Sequence, residues 1–256
     1  MAYWLDQFHV FLLVLLRVSA LIVVAPIFGH RLFLARAKVG MAFMISLVIF
    51  PSVADSTLDL PEGFLPYALI LIREVLMGAV LGFSVLLIFI GVQFAGQLAG
   101  LQMGFGIVNV IDPQSNDQVS IIGQFLNILA VLLILSLDGH HIILNGLMAS
   151  FEAVPLGGVV FKVPVVEKLI ELANEVFTVA IKISAPIMIA LFLVSVAMGV
   201  LARTVPQMNV FIVGFPIQLA VGLFVMISSL PLFRIVLEKS LHILERDFFA
   251  LIDFFS

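Results

Sequence analysis

Cysteine is missing from the sequence. That excludes disulfides, thiolate metal sites and a cysteine nucleophile, and it leaves the redox compartment open. Charge is scarce: Asp, Glu, Lys and Arg make up 11% of the 256 residues, too few to cover a soluble domain of this length. Positive charge is scarcer still. The net charge is -4 and no Lys/Arg-rich run could follow a phosphate backbone, so nucleic acid is excluded as a partner. Catalytic signatures are lacking too. There is no H-E-x-x-H and no G-x-S-x-G, since Gly82-Phe83-Ser84 lacks the final glycine, and no phosphate-cradling glycine loop precedes a Lys-Ser/Thr pair. Asp138-Gly139-His140-His141 offers imidazoles, but adjacent helix positions point about 100° apart, so a turn capped by Asp138 is expected there and not a metal site. No catalytic residue, cofactor or metal is expected.

What the chain has is apolar length. It is 63% hydrophobic with a mean hydropathy of +1.28, the signature of a helical membrane protein. The N-terminal run carries Asp6 and Arg17 and no small-x-small site, so it reads as a retained first helix with Tyr3 and Trp4 at an interface. Six stretches approach membrane-crossing length: 8–29, 39–54, 66–103, 118–150, 176–202 and 208–233. The second is short. The third and fourth exceed one crossing and read as long or broken helices, or tall hairpins. Arg31, Arg36 and Lys38 crowd the first link, whereas Asp55, Asp59 and Glu62 crowd the second, so positive charge puts 31–38 on the cytoplasmic side. Two segments are amphipathic: 165–176, and 237–255 with Leu237, Leu241, Leu244, Phe248, Leu251 and Phe255 in one stripe. Each reads either as an interfacial or partner-docking helix or as a cap on its own bundle.

Glycine marks the contacts. Gly78 and Gly82, then Gly96, Gly100 and Gly104, recur every fourth residue and so share a helix face on which another backbone can approach closely. Downstream lies GFGIVNVIDP: Gly104, Phe105, Gly106, Ile107, Val108, Asn109, Val110, Ile111, Asp112 and Pro113. Gly104 and Gly106 loosen the helix, Asp112-Pro113 is expected to stop it, and Ser115, Asn116 and Asp117 are candidates to cap the next. An apolar loop at membrane depth must be buried in protein or line a cavity, so the residues allow either a re-entrant turn or a deformable plug. Charged residues in or beside apolar stretches are Arg17, Arg73, Glu74, Lys182 and Arg203. Arg17 and Lys182 should face protein, water or an acidic partner. Arg73 and Glu74 read as interfacial, so no second buried carboxylate is expected. Pro186, Pro206, Pro216 and Pro231 are expected to bend or end the C-terminal helices.

These residues, in this order, carry a resemblance: Arg17, Pro26, Arg36, Glu74, Gly78, Gly82, Gly96, Gln102, Gly104, Pro113, Gly139-His140, the run Ser150–Pro155, Pro186, and Arg203-x-x-Pro206-Gln207-x-Asn209-x-Phe211. The chain resembles the FliR family, the export-gate membrane protein of flagella with counterparts in virulence-type type III secretion. The resemblance implies an all-α membrane protein of helical hairpins, one polytopic domain over 1–256. A FliP-like portion (1–175, with the loop 104–118) would precede a FliQ-like hairpin and tail helix (176–256). It also implies a bacterial inner-membrane location at the flagellar basal body. One copy would join FliP-like and FliQ-like subunits, beside FlhB-like and FlhA-like proteins, in a noncatalytic gate for unfolded export substrates. Residues 104–113 would be the plug. The rival expectation is a stand-alone small-molecule or ion transporter, which would need polar midplane sites in symmetric halves.

Overall fold

In the computed structural model the described residues are 2–29, 34–53, 63–105 and 120–255. Among them every regular element is an α-helix: α1 (Ala2–Val24), α2 (Pro26–Gly29), α3 (Ala35–Val53), α4 (Phe64–Gln102), α5 (Ile121–Ser136), α6 (Gly139–Ala153), α7 (Val163–Thr204), α8 (Val210–Ser228) and α9 (Leu230–Phe255). Within a bilayer a helix closes its own backbone hydrogen bonds, which an open strand cannot. Four of these helices, α1, α3, α4 and α7, are long and apolar enough to cross a membrane. The bent pairs α5/α6 and α8/α9 bring the number to as many as six.

The differences from the six expected stretches have local causes. The third stretch is one unbroken helix of 39 residues, about 58 Å at 1.5 Å per residue, nearly twice the hydrocarbon thickness. The fourth is broken by 70° at Leu137-Asp138, where Asp138 takes a left-handed φ of 57°. The amphipathic segment 165–176 is continuous with the fifth stretch in the 42-residue α7, because no helix-breaking residue separates them. Pro186 and Pro216 lie inside α7 and α8 and do not end them, whereas Pro206 falls in the link before α8 and Pro231 in the first turn of α9, where its missing N–H costs nothing.

The chain separates into two compact units. The first comprises Met1–Leu87, Asp138–Ala173 and Leu241–Ser256, the second Ile88–Leu137 and Asn174–Ser240. In the first unit α3 lies along α1, with Phe11 edge-on to Phe43 and Phe50 at 5.5 and 5.8 Å. The α9 stripe is buried: Leu241, Leu244, Phe248, Leu251 and Phe255 are all nearly inaccessible. Phe248 fits against Gly146 of α6, and the Phe255 carbonyl accepts from the Val160 amide at 3.1 Å. The 237–255 stripe, expected to contact a partner, is instead spent on the chain's own bundle. In the second unit α4 crosses α5 where Gly96 faces Gly123, and Phe94 stands perpendicular to Phe177 at 5.8 Å.

Candidate functional site

Three of the family-matching features of the first unit, Arg17, Glu74 and the run Ser150–Pro155, meet at one buried ion pair. Arg17, seven residues before the end of α1, is fully buried, as is Glu74, ten residues after the start of α4. The Arg17 Nε donates to Glu74 Oε2 at 2.6 Å. Its Nη1 donates to the Ser150 carbonyl at 2.7 Å and the Ser150 hydroxyl at 3.3 Å. Nη1 and Nη2 both reach the Val154 carbonyl, at 3.5 and 3.4 Å. The guanidinium lies 4.3 Å over the Phe151 ring. The other Glu74 oxygen, Oε1, accepts from the Gly157 amide at 2.9 Å, in a turn where Gly157 takes a φ of +79°. Ser150 and Val154 are at the carboxyl end of α6, where carbonyls lack helical partners and a cation is favoured.

The expectation that no buried carboxylate accompanies Arg17 is therefore overturned. The expected stretch begins at 66, close to the observed start, so the sequence hides not the depth of Glu74 but the helix that it faces. With α4 beginning at Phe64, Glu74 is nearly three turns inside and faces α1. Two glycines set that approach. A Cβ on Gly78 would strike the Arg17 carbonyl and come within 3.0 Å of the Ala20 Cβ, and one on Gly82 would meet the Leu21 carbonyl at 2.9 Å. Every guanidinium nitrogen and both carboxylate oxygens are bonded to fixed protein partners. The centre therefore clamps three segments. The other charges named from the sequence do not join it: Arg73, Lys182 and Arg203 are exposed.

The second unit holds the approach to the expected plug. α4 ends at Gln102, not at Asp112-Pro113, because Gly104 closes it. With φ at +92°, Gly104 donates to the Leu101 carbonyl (3.1 Å) while Phe105 donates to Gly100 (3.0 Å), the paired bonds of a Schellman cap. Met103 is fully buried against Gly222 of α8, and Gly104 abuts the Phe215 ring. A Cβ on Gly96 would collide with Gly123, and one on Gly100 would lie 2.7 Å from the Ser120 Oγ. Ser120 caps α5, its hydroxyl accepting from Gly123 N and donating to the Gly96 carbonyl, both at 3.2 Å. The expected caps Ser115, Asn116 and Asp117 lie outside the described residues, as do Gly106 to Pro113 of the plug segment.

At the start of α6 the two imidazoles are closer than helix spacing suggested. The His140 and His141 ring centroids are 4.1 Å apart, and with Asp138 their ligating atoms lie within 4.8 Å of one another. Asp138 makes no side-chain cap bond, against expectation, because its left-handed backbone turns the carboxylate toward His141 Nδ1, 3.4 Å away. A cation there would meet the positive end of the α6 dipole.

Against known proteins, residues 8–243 match the family described as bacterial export proteins, family 1. The chain is 37% identical over 243 residues to the flagellar biosynthetic protein FliR of Bacillus subtilis, covering 92% of this chain and 91% of that one. It is 33% identical over 254 residues to FliR of Escherichia coli, covering 99% and 95%. The chain belongs to the FliR family. Sequence reasoning found the FliR-type residues Arg17, Glu74 and Ser150–Pro155 as separate signals along the chain, and missed that they form one centre. It also missed Ser120, Gly123, Phe215 and Gly222. Glycine spacing on α4 pointed to a close neighbour, but nothing in α5 or α8 marked which residues would meet it.

Proposed function

We propose that this chain is a noncatalytic, pore-forming subunit of the flagellar type III export gate in the bacterial inner membrane at the basal body. It assembles with FliP-like and FliQ-like subunits, beside FlhB-like and FlhA-like proteins, and passes unfolded substrates outward. The observation that carries the reading is family membership over nearly the whole chain. The surface supports it: only 17% of the apolar window of α7 is buried within the chain, which leaves a long apolar face for neighbouring subunits. Residues 104–113 act as the plug, anchored where Met103 and Gly104 meet α8. The glycines Gly78, Gly82, Gly96 and Gly100 serve helix packing. The rival transporter loses its buried charges, since Arg17 is spent on the clamp and Lys182 is exposed.

Native mass spectrometry of this chain co-expressed with the FliP-like and FliQ-like proteins of its own source tests the assembly. The expected result is one large complex holding a single copy of this chain; a stable free monomer that retains no partner overturns it. For the plug, deletion of 105–111 should make the assembled gate conduct small ions. Unchanged conductance with assembly intact removes that role.

A further inference from the structure

Ligating side chains gather where α6 begins. Asp138, His140 and His141 each present one ligand atom, and the three atoms lie within 4.8 Å of one another. A transition ion binds imidazole nitrogen and carboxylate oxygen at about 2.0–2.2 Å, so its ligands stand roughly 3–3.4 Å apart. One edge of that triangle already exists, with His141 Nδ1 3.4 Å from Asp138 Oδ1. The side chains of Asp138 and His141 are 77% and 64% exposed. They are therefore free to rotate and close the remaining distance, and water reaches any position that the protein leaves open.

The surroundings separate this cluster from a chance gathering of surface groups. Among the described residues Asp138 is the one non-glycine residue with a positive φ, and its carboxylate makes no cap bond to α6. It pairs with His141 alone, and the sequence has no Lys or Arg between Arg73 and Lys162 to compete for it. The two imidazoles, adjacent in sequence, lie on one side with centroids 4.1 Å apart and planes 39° from parallel. His140 Nδ1 is closed to solvent and has no hydrogen-bond partner, a costly state for a polar atom. Coordination through that nitrogen would supply the missing partner. The α6 dipole opposes a cation here, but its field is confined to the first turn and screened where water enters, and the Asp138 charge offsets it.

We propose that Asp138, His140 and His141 form a binding site for one divalent transition ion of the zinc type. Two imidazole nitrogens and one carboxylate oxygen coordinate it, with water completing the shell. The donor set selects the occupant: imidazole suits zinc, nickel and copper, whereas magnesium and calcium require oxygen ligands. The bound ion pins Asp138 in its left-handed conformation and so fixes the turn that starts α6.

The test uses the full chain in detergent, free of any histidine tag and stripped of metal with a chelator, titrated with zinc chloride in a calorimeter. One zinc per chain should bind, and excess magnesium or calcium should not displace it. Asp138→Asn keeps a residue that tolerates the left-handed φ and removes the charge; His141→Ala removes an exposed ring. Each should weaken zinc binding by more than the roughly ten- to hundred-fold that loss of an outer-shell partner costs, with helical circular dichroism retained. Zinc should raise the thermal midpoint of the unsubstituted chain and of neither variant. His242→Gln removes an imidazole 4.0 Å from Glu245 and should change nothing. Copper(II), the tightest binder of the divalent series, counts the ligands: electron paramagnetic resonance should show coupling to two nitrogens, and to one in His141→Ala. Absence of zinc binding, or binding that survives both substitutions, overturns the site. Loss with His242→Gln alone assigns the ion to α9 and overturns it equally. His141→Gln repeats the measurement should His141→Ala fail to fold.

Discussion

The two units hold their helices together by opposite means. In the first, a buried guanidinium and carboxylate tie α1, α4 and the end of α6 through side-chain hydrogen bonds. In the second, α4 meets α5 backbone to backbone at Gly96 and Gly123, with the Ser120 hydroxyl as the polar addition. All three buried charged side chains among the described residues, Arg17, Glu74 and Asp247, belong to the first unit. The contrast follows from the solvent. Where lipid or other apolar surface surrounds the helices, hydrophobic burial no longer separates packed from unpacked states. Packing then rests either on hydrogen bonds with no water to replace them or on dispersion at the closest backbone approach. The first solution is directional and brittle, the second graded.

The sharpest way to break the comparison is Glu74→Ala. It leaves Arg17 buried and unpaired and the Gly157 amide unbonded, so the chain should lose about 3–5 kcal/mol, seen as a drop in thermal midpoint in detergent and in membrane yield. Arg17→Met together with Glu74→Leu should cost less than Glu74→Ala alone, because no lone charge remains. If the double variant is the worse, the hydrogen bonds to Ser150 and Val154 outweigh the charge.

A second buried carboxylate gives a milder case. Asp247 is 1% exposed and lies 3.0 Å from Lys168 Nζ, which also bonds Glu171 at 2.9 Å. Both Asp247 oxygens are buried without a well-aligned hydrogen bond and Lys168 keeps a second partner, so removal of this carboxylate relieves desolvation as well as losing its ion pairs with Lys168 and Arg246. Asp247→Ala should cost no more than about 1 kcal/mol, and Lys168→Met should cost more than Glu171→Ala. In the second unit Gly96→Ala pushes a methyl into the Gly123 backbone, and relief by shifting α5 should cost about 1–3 kcal/mol. The same midpoint assay reads both. A neutral Gly96→Ala would show that the crossing is loose and the contrast between units overstated.

How much of this was legible beforehand divides along the same line. The all-helical membrane character lay in composition, and the four-residue glycine spacing on α4 lay in periodicity, since both are properties of one contiguous segment. The Arg17–Glu74 pair spans 57 residues, and no local pattern marks a carboxylate as facing another helix. The start of the stretch 66–103 lies within two residues of the observed Phe64, so Glu74 was already well inside its helix; what hydropathy could not show is that it faces α1 and not the interface. Fusion of 165–176 into α7 was missed for the converse reason: a change from amphipathic to apolar pattern alters what covers a helix without ending it. The stop of α4 was placed at Asp112-Pro113 because proline is the louder breaker, but Gly104 closes the helix first by taking a left-handed φ that its neighbours would adopt only at a cost.

The smallest effect reverses sign and sharpens the contrast between glycines that touch a neighbour and glycines that do not. Gly40 sits inside α3, and a Cβ there would meet nothing within 4 Å. Gly40→Ala should therefore remove backbone freedom from the unfolded chain without a steric penalty, raising stability by about 0.5–1 kcal/mol. Motility should be unchanged if this face meets only lipid. If the isolated chain is stabilised as expected while motility is lost, the open space at Gly40 is filled in the working assembly. A neighbouring subunit would then approach α3 there as closely as Gly78 lets α4 approach α1.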